Sequence, residues 1–97
     1  MLTPKQKQFL KGLAHPLSPV VRIGKAGLTP AVIREARRSL DAHELIKVRI
    51  DGDDSGTRTS IATELAEAAE AEVAATIGKT AILYRPRVEN PKIKLPK

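Results

Sequence analysis

The chain has 97 residues, a length that fits one domain with a modest hydrophobic core. Its 17 lysine and arginine residues against 11 aspartate and glutamate residues give a net charge of +6, which favours an anionic partner such as nucleic acid. It has no cysteine, which excludes disulfides, thiolate metal sites and cysteine nucleophiles. No apolar run is long enough for a membrane span, and the N-terminus lacks the apolar core of a signal peptide. We therefore expect a soluble, cytoplasmic protein.

The first predicted helix runs from Pro4 to about Ala14, because Thr3 is a suitable N-cap followed by proline at the first helical position. Its predicted buried face consists of four apolar residues at helical spacing: Phe9, Leu10, Leu13 and Ala14. Two prolines, at positions 16 and 19, end this helix and lead into a short strand from Val20 to Ile23.

A loop with two glycines follows this strand: Gly24, Lys25, Ala26 and Gly27. Two glycines at this spacing let the backbone turn tightly and bring its N–H groups close to a ligand, and Lys25 adds a positive charge. Phosphate suits such a loop, and KH modules use a GxxG loop to clamp the backbone of single-stranded RNA. An ordinary strand-to-helix turn can have the same two glycines, so the loop alone does not decide its function.

A second helix is predicted from Thr29 and Pro30, which repeat the signal of a cap followed by proline, to about Ala42. Its core stripe is Val32, Ile33, Ala36 and Leu40. Three arginines project from its far side: Arg34, Arg37 and Arg38. These arginines either extend the positive field of the loop or form a solubilising face that Glu35 and Asp41 partly neutralise.

The segment from Leu45 to Ile50 alternates apolar residues with cations at the period of a strand. One predicted side is core, and the other carries Lys47 and Arg49. A polar, acidic turn from Asp51 to Gly56 follows, and Thr57 is the predicted cap of a third helix that reaches about Ala71. The inner face of this helix is predicted to hold Ile61, Ala62, Leu65, Ala66 and Ala69, and its outer face an acidic row of Glu64, Glu67 and Glu70.

Two final strands, from Val73 to Ile77 and from Ala81 to Arg85, are predicted to form a hairpin. The order α-β-α-β-α-β-β predicts an α/β (α+β) fold in which helices pack on one four-stranded mixed sheet. We place this single domain at residues 1–86. Residues 87–97 are predicted to form a basic C-terminal tail, partly docked or flexible, with Ile93 and Leu95 as candidate anchors.

The histidines and the acidic turn do not form a catalytic or metal-binding pattern. No serine nucleophile motif or metal-spaced pair accompanies His15 or His43, so we predict capping or packing roles for both. The acidic turn lacks the bidentate glutamate of an EF-hand, and Leu28 follows Gly27 where a nucleotide-binding P-loop has lysine. We therefore expect that the protein is not an enzyme and that it has no cofactor, no metal ion and no small-molecule substrate.

RNA contact is predicted at the loop and the basic residues around it: Arg22, Gly24, Lys25, Ala26, Gly27, Arg34, Arg37 and Arg38. Phe9 and Tyr84 are the only aromatic residues, and both lie in apolar contexts that indicate core positions, so a base-stacking platform is not expected. Affinity should come mainly from phosphate contacts and fall steeply with salt. We expect a monomer.

Other functions remain open at this point. A protein-interaction adaptor could use the acidic row of the third helix and have only incidental RNA affinity. A nuclease would need a histidine or carboxylate near the glycine loop. An anionic-membrane binder is less favoured, because no predicted helix pairs a basic face with exposed large apolar residues.

Several ordered segments carry a resemblance to a known family: Lys5 to Gln8, Leu13 to Leu17, Ile23 to Thr29, His43 to Val48, Ile77 to Thr80 and Leu83 to Pro86. At these intervals the chain resembles the CRM domain, the chloroplast RNA splicing and ribosome maturation domain, in its standalone bacterial YhbY-like form. The resemblance spans nearly the whole chain and weakens over Asp51 to Glu72.

This resemblance implies a fold similar to the C-terminal domain of bacterial translation initiation factor three, and a GxxG loop that contacts RNA. It also implies association with precursors of the large ribosomal subunit. The loop role would fall on Gly24, Lys25, Ala26 and Gly27. Ribosomal RNA and ribosome assembly follow from the resemblance alone, since charge and the loop predict only a protein that binds RNA phosphates.

Overall fold

The computed structural model describes residues 1–97 and contains three helices, each of which begins after a capping side chain. They are α1 (Pro4–Ala14), α2 (Pro30–His43) and α3 (Ser55–Ala68). Thr3 accepts a hydrogen bond from the N–H of Gln6, whose side chain accepts one from Thr3 in return, and Thr29 accepts one from the N–H of Val32. None of the three is long and apolar enough to cross a membrane.

The predicted cap of α3 is wrong. Asp54, not Thr57, is the N-cap: its carboxylate accepts hydrogen bonds from the N–H of Thr57 at 2.7 Å and from the Thr57 hydroxyl at 2.9 Å. A carboxylate at this position also interacts favourably with the positive end of the helix dipole. The helix ends at Ala68 rather than near Ala71, because Glu70 adopts a left-handed backbone conformation with φ of 57°.

Four strands form one mixed sheet in the order β1-β2-β4-β3, which confirms the predicted fold class and element order. They are β1 (Pro19–Ile23), β2 (Leu45–Ile50), β3 (Glu72–Ile77) and β4 (Thr80–Tyr84). β1 and β2 are parallel and joined through α2, whereas β4 is antiparallel to both of its neighbours. The last strand lies one residue earlier than predicted, since only Gly78 and Lys79 separate β3 from β4.

The two faces of the sheet are covered differently. The first face packs against α2 and α3, and its core includes Ile46 and Val48 of β2 together with Leu40 and Leu65 from the two helices. The predicted core stripe of α2 is confirmed: Ala36 and Leu40 are buried, and Val32 and Ile33 pack against them. The second face packs against α1 through a smaller cluster: Leu2, Leu10, Ala14, Leu45, Ala74, Ile82 and Tyr84.

The buried face of α1 is narrower than predicted. Leu10 and Ala14 are fully buried, but Phe9 is 39% exposed and Leu13 is 42% exposed. No second helix lies on this face of the sheet, so only the residues that point straight at the strands are covered. Tyr84 is buried as predicted, whereas Phe9 is not a core residue.

The residues after β4 dock against the body of the domain. Ile93 and Leu95 pack against the cluster beneath α1, so both candidate anchors are in contact with the core. The side-chain amide of Gln6 donates to the carbonyl of Pro96 at 3.0 Å. The backbone N–H groups of Arg87, Lys92 and Ile93 all donate to the carboxylate of Glu44.

Candidate nucleic-acid interface

The glycine loop lies at the carboxyl end of β1, directly before the N-cap of α2. The N–H of Gly27 donates to the carbonyl of Gly24 at 3.0 Å, which closes a four-residue turn. Gly27 has a φ of 71°, so its backbone conformation favours glycine. Gly24 does not have a positive φ, and a Cβ atom built on it would meet no atom within 4 Å. Neither backbone conformation nor internal packing therefore requires glycine at position 24.

The loop presents hydrogen-bond donors that have no partner within the protein. The backbone N–H groups of Lys25 and Ala26 donate to no group of the chain, and both residues are exposed. The start of α2 adds two free N–H groups, those of the N-cap Thr29 and of Ala31. Pro30 has no N–H, and the N–H of Val32 donates to the Thr29 side chain.

Arg22 and Arg49 lie side by side next to the loop, on adjacent strands and on the sheet face opposite α2. Asp51, directly after β2, binds both. The Arg22 Nε donates to Asp51 Oδ2 at 2.9 Å, and the Arg49 Nε donates to Asp51 Oδ1 at 3.3 Å. Asp51 is in turn fixed by its own N–H, which donates to the carbonyl of Ile23. The structure thus brings Arg22 together with the loop, as predicted, and adds Arg49.

The three arginines of α2 are exposed, but they do not join Arg22. Val21 and Ile23 of β1 point into the core beneath α2, so the side chain of Arg22 between them points away from that helix. Arg37 forms an ion pair with Glu70 at 3.0 Å. This pair engages one of the three α2 arginines and one glutamate of the acidic row of α3. Arg34 and Arg38 make no ion pair. The glycine loop connects β1, which carries Arg22, to α2, which carries the three arginines, so it lies between these two basic surfaces.

The opposite end of the sheet carries cations that are bound within the protein. We call it the tail end, meaning Glu44, Arg85 and residues 87–97, and we call residues 22–27, 49–54 and 78–79 the loop end. Arg85 donates to the carbonyls of Ala69 and Arg37 and to the carboxylate of Asp41. Arg87 donates to the carbonyls of Asp41 and Ala42. These guanidinium groups therefore stabilise the C-terminal ends of α2 and α3.

Glu44 is the one charged residue that is fully buried, and the sequence did not single it out. Its carboxylate accepts from the N–H of Arg87 at 3.0 Å, of Lys92 at 2.5 Å and of Ile93 at 3.2 Å. Burial raises the pKa of Glu44, but these three hydrogen bonds and the charge of Arg87 lower it, and the net effect is a pKa below the ordinary value. The residue stays ionised at neutral pH and holds the tail.

The histidines lie at helix ends, as predicted. His15 follows the last residue of α1, and its carbonyl accepts a hydrogen bond from the Lys47 ammonium at 3.1 Å. His43 is the last residue of α2. No group of three or more histidine, aspartate or glutamate side chains is placed to hold a metal ion.

Comparison with known proteins identifies a family. The family model of the CRS1/YhbY (CRM) domain matches residues 2–85. Over 96 residues the chain is 48% identical to a Haemophilus influenzae protein named "RNA-binding protein", with 99% of this chain and 96% of that protein covered. It is 38% identical over 96 residues to the "Probable RNA-binding protein YqeI" of Bacillus subtilis, with 99% and 100% covered.

The fold agrees with a solved structure as well. A Staphylococcus aureus protein with a solution structure superimposes with a TM-score of 0.88 at 38% identity, with 99% of this chain and all of that chain covered. The match to the family model extends over most of the sequence, and the resemblance inferred from the ordered segments is confirmed. The chain belongs to the CRS1/YhbY (CRM) domain family.

Proposed function

We propose that this protein binds RNA and grips its backbone with the loop from Gly24 to Gly27. The observation that carries the proposal is Gly24, where glycine is required neither by the backbone conformation nor by packing. Close approach of a ligand is the remaining physical reason for a residue without a side chain. The names of the Haemophilus and Bacillus relatives, which describe RNA-binding proteins, support the same function.

Phosphate is the part of RNA that this loop suits. The free N–H groups of Lys25 and Ala26, the Lys25 ammonium and the positive end of the α2 dipole converge where a phosphate could lie. Arg22 lies at the entrance to the loop, and Arg34 and Arg38 extend the positive surface along α2. Arg37 contributes less, because Glu70 neutralises it. The protein then acts as a binding module without a catalytic step.

The RNA that we propose is ribosomal RNA in precursors of the large ribosomal subunit, bound in the cytoplasm during ribosome assembly. Family membership supports this proposal, since the loop chemistry would suit the backbone of any RNA. Sequencing the RNA crosslinked to the protein in cells tests it. We expect strong enrichment of large-subunit ribosomal RNA, and a profile without that enrichment would overturn the assignment while leaving RNA binding in place.

The loop itself is tested with the triple variant Gly24→Asp, Lys25→Glu and Gly27→Asp. Three added carboxylates should repel phosphate. A Cβ atom at position 24 or 27 would meet no atom within 4 Å, and aspartate is among the residues that adopt the φ of 71° found at position 27 at modest cost, so the fold should survive. Filter binding to single-stranded RNA at two salt concentrations should show a loss of at least about tenfold at the lower salt, since binding through phosphates is salt-dependent. Unchanged affinity in a folded triple variant would contradict the proposal.

A further inference from the structure

The half of the sheet's second face that α1 leaves uncovered carries two arginines in one row. Backbone register places Arg22 beside Arg49, Arg49 beside Thr80, and Thr80 beside Ile77, so these four residues cross the sheet on one face. The Arg22 side chain is 70% exposed and that of Arg49 is 48% exposed. The covered half of the same face, where Ile82 and Tyr84 are buried, lies farther from the glycine loop.

Asp51 holds both guanidinium groups through one edge of each. Its carboxylate is 26% exposed and contacts the Nε of both arginines, as well as the Nη2 of Arg22 at 2.9 Å. Hydrogen bonding from Arg22 holds the pKa of Asp51 below its ordinary value, so the carboxylate stays ionised at neutral pH. Neither arginine makes another hydrogen bond, and the remaining guanidinium N–H groups are available to a ligand.

We propose that the RNA strand gripped by the loop continues onto this open half of the sheet, where Arg22 and Arg49 bind phosphates next to those held by the loop. This inference rests on the proposed function. It assigns Arg49 as a further RNA contact and Asp51 as the residue that positions both arginines. Arg22 precedes Gly24 by two residues, about 7 Å along a strand, and Arg49 lies about 5 Å to its side, so one RNA strand can reach all three.

The chemistry of this surface favours RNA over a protein partner. A guanidinium fork binds phosphate through two parallel hydrogen bonds, and here Asp51 accepts a hydrogen bond from the Nε of two such forks. Protein interfaces depend on clusters of large apolar or aromatic anchors, whereas Ile77 is the only large apolar side chain in this row. Besides Asp51, one further carboxylate, that of Glu35, lines a groove of about 470 Å³ at the outer edge of β1 together with Arg22 and Arg49.

The assay is fluorescence anisotropy of a short fluorescein-labelled single-stranded RNA at a series of potassium chloride concentrations. Arg49→Gln should reduce the magnitude of the log–log salt slope by about 0.7, the value for one phosphate contact on single-stranded nucleic acid, and weaken binding about fivefold at 0.1 M salt. The control is Lys94→Gln, which removes an exposed cation at the tail end. An Arg49→Gln variant that matches this control in slope and affinity would overturn the inference.

Asp51→Asn tests the positioning role, because the effects of charge and of orientation have opposite signs. Removing a negative charge near RNA should strengthen binding, whereas releasing the two arginines should weaken it. We expect weaker binding when both arginines are present, and equal or stronger binding when Arg22→Gln and Arg49→Gln are already in place. Equal or stronger binding of the single Asp51→Asn variant would contradict the role of Asp51.

Lys25→Glu in the same assay separates this inference from the function on which it rests. Loss of binding with Lys25→Glu but not with Arg49→Gln would overturn the inference and leave the proposed function intact. No loss with either variant would overturn the proposed function as well. Thermal unfolding of each variant establishes that it is folded, and the exposed side chains of Lys25 and Arg49 predict little change in stability when these two are replaced.

Discussion

The loop end and the tail end of the sheet use the same residue type in different ways. At the loop end, Arg22 and Arg49 are exposed and share Asp51 as their only partner. At the tail end, the guanidinium groups of Arg85 and Arg87 are bound to backbone carbonyls and to Asp41. The net charge of +6 therefore does not measure the surface offered to a ligand. The partners of each cation within the protein decide whether it stabilises the fold or can bind RNA.

The acidic residues show the same difference. Asp51 at the loop end is accessible and orients side chains that remain open to solvent, whereas Glu44 at the tail end is buried and bound on several sides by backbone N–H groups. Buried polar groups with full hydrogen bonding are costly to disrupt. Substitutions of the hydrogen-bonded polar groups at the tail end should therefore lower stability, and substitutions of the exposed arginines at the loop end should lower RNA affinity.

The largest expected effect is that of Glu44→Ala at the tail end. It removes the acceptor of three N–H groups, each worth about 1–3 kcal/mol if left buried without a partner. Detachment of the tail would let water reach these groups, so we expect a loss of about 3 kcal/mol, measured by urea unfolding. The control is Glu35→Ala, an exposed glutamate without an ion pair, which should change stability by less than about 0.5 kcal/mol. Equal losses in the two variants would contradict the role of Glu44.

Acid should act on the same carboxylate, with a smaller effect than its removal because a neutral carboxyl group keeps one acceptor oxygen. The pKa of Glu44 is lower in the folded than in the unfolded protein, so its contribution is present above the unfolded pKa and is lost as pH falls through the folded one. Unfolding free energies measured from pH 6 downward should fall more steeply for the wild type than for Glu44→Gln. Identical profiles would show that Glu44 is not coupled to folding.

A matched pair of arginine variants compares the two ends directly. Arg85→Gln should cost about 2 kcal/mol of stability, because the side chain is only 20% exposed and the carbonyls of Ala69 and Arg37 lose a charged donor. Arg49→Gln should cost less than about 0.5 kcal/mol. Urea unfolding measures both. Arg49→Gln should weaken RNA binding more than Arg85→Gln does. Equal losses of stability in the two variants would contradict the proposed difference between the two ends.

The loop end also contains a structural carboxylate, and it gives the smallest predicted effect. Asp54→Ala removes the N-cap of α3 and should lower the free energy of unfolding by about 1 kcal/mol. Asp53→Ala is the neighbouring control, since Asp53 makes no hydrogen bond or ion pair and should be neutral. RNA affinity should not fall in either variant, since neither aspartate holds a cation that faces the loop. Similar unfolding curves for both would mean that another group caps the helix.

Local patterns predicted the elements well. A threonine followed by proline predicted the starts of α1 and α2, because N-capping and the fixed φ of proline act within a few residues. The α3 cap was missed because Asp54 and Thr57 are both good capping residues, and only the backbone conformation decides between them. The exposure of Phe9 depends on what lies beside α1 in space, which periodicity along the chain does not contain.

The candidate site was predicted where it is contiguous in sequence and missed where it depends on strand pairing. The loop from Gly24 to Gly27 was recognisable from four consecutive residues. Arg49 and Asp51 meet Arg22 only because β1 and β2 are parallel in a particular register. The alternation of apolar residues and cations in β2 was the available signal. It identified the charged side of this strand but not that Arg22 of β1 lies beside it. The role of Glu44 was not predictable from its neighbours in sequence, because its hydrogen-bond donors lie more than 40 positions later in the chain.

RNA that binds at the loop end of the sheet should perturb the backbone amides there. Titration of isotope-labelled protein with a short single-stranded RNA, followed by amide chemical shifts, locates the bound RNA. We predict the largest changes at Gly24, Lys25, Ala26 and Gly27, smaller ones at Arg22 and Arg49, and none in residues 87–97. Changes centred on the tail end or on the acidic row of α3, with the loop unaffected, would show that RNA binds elsewhere.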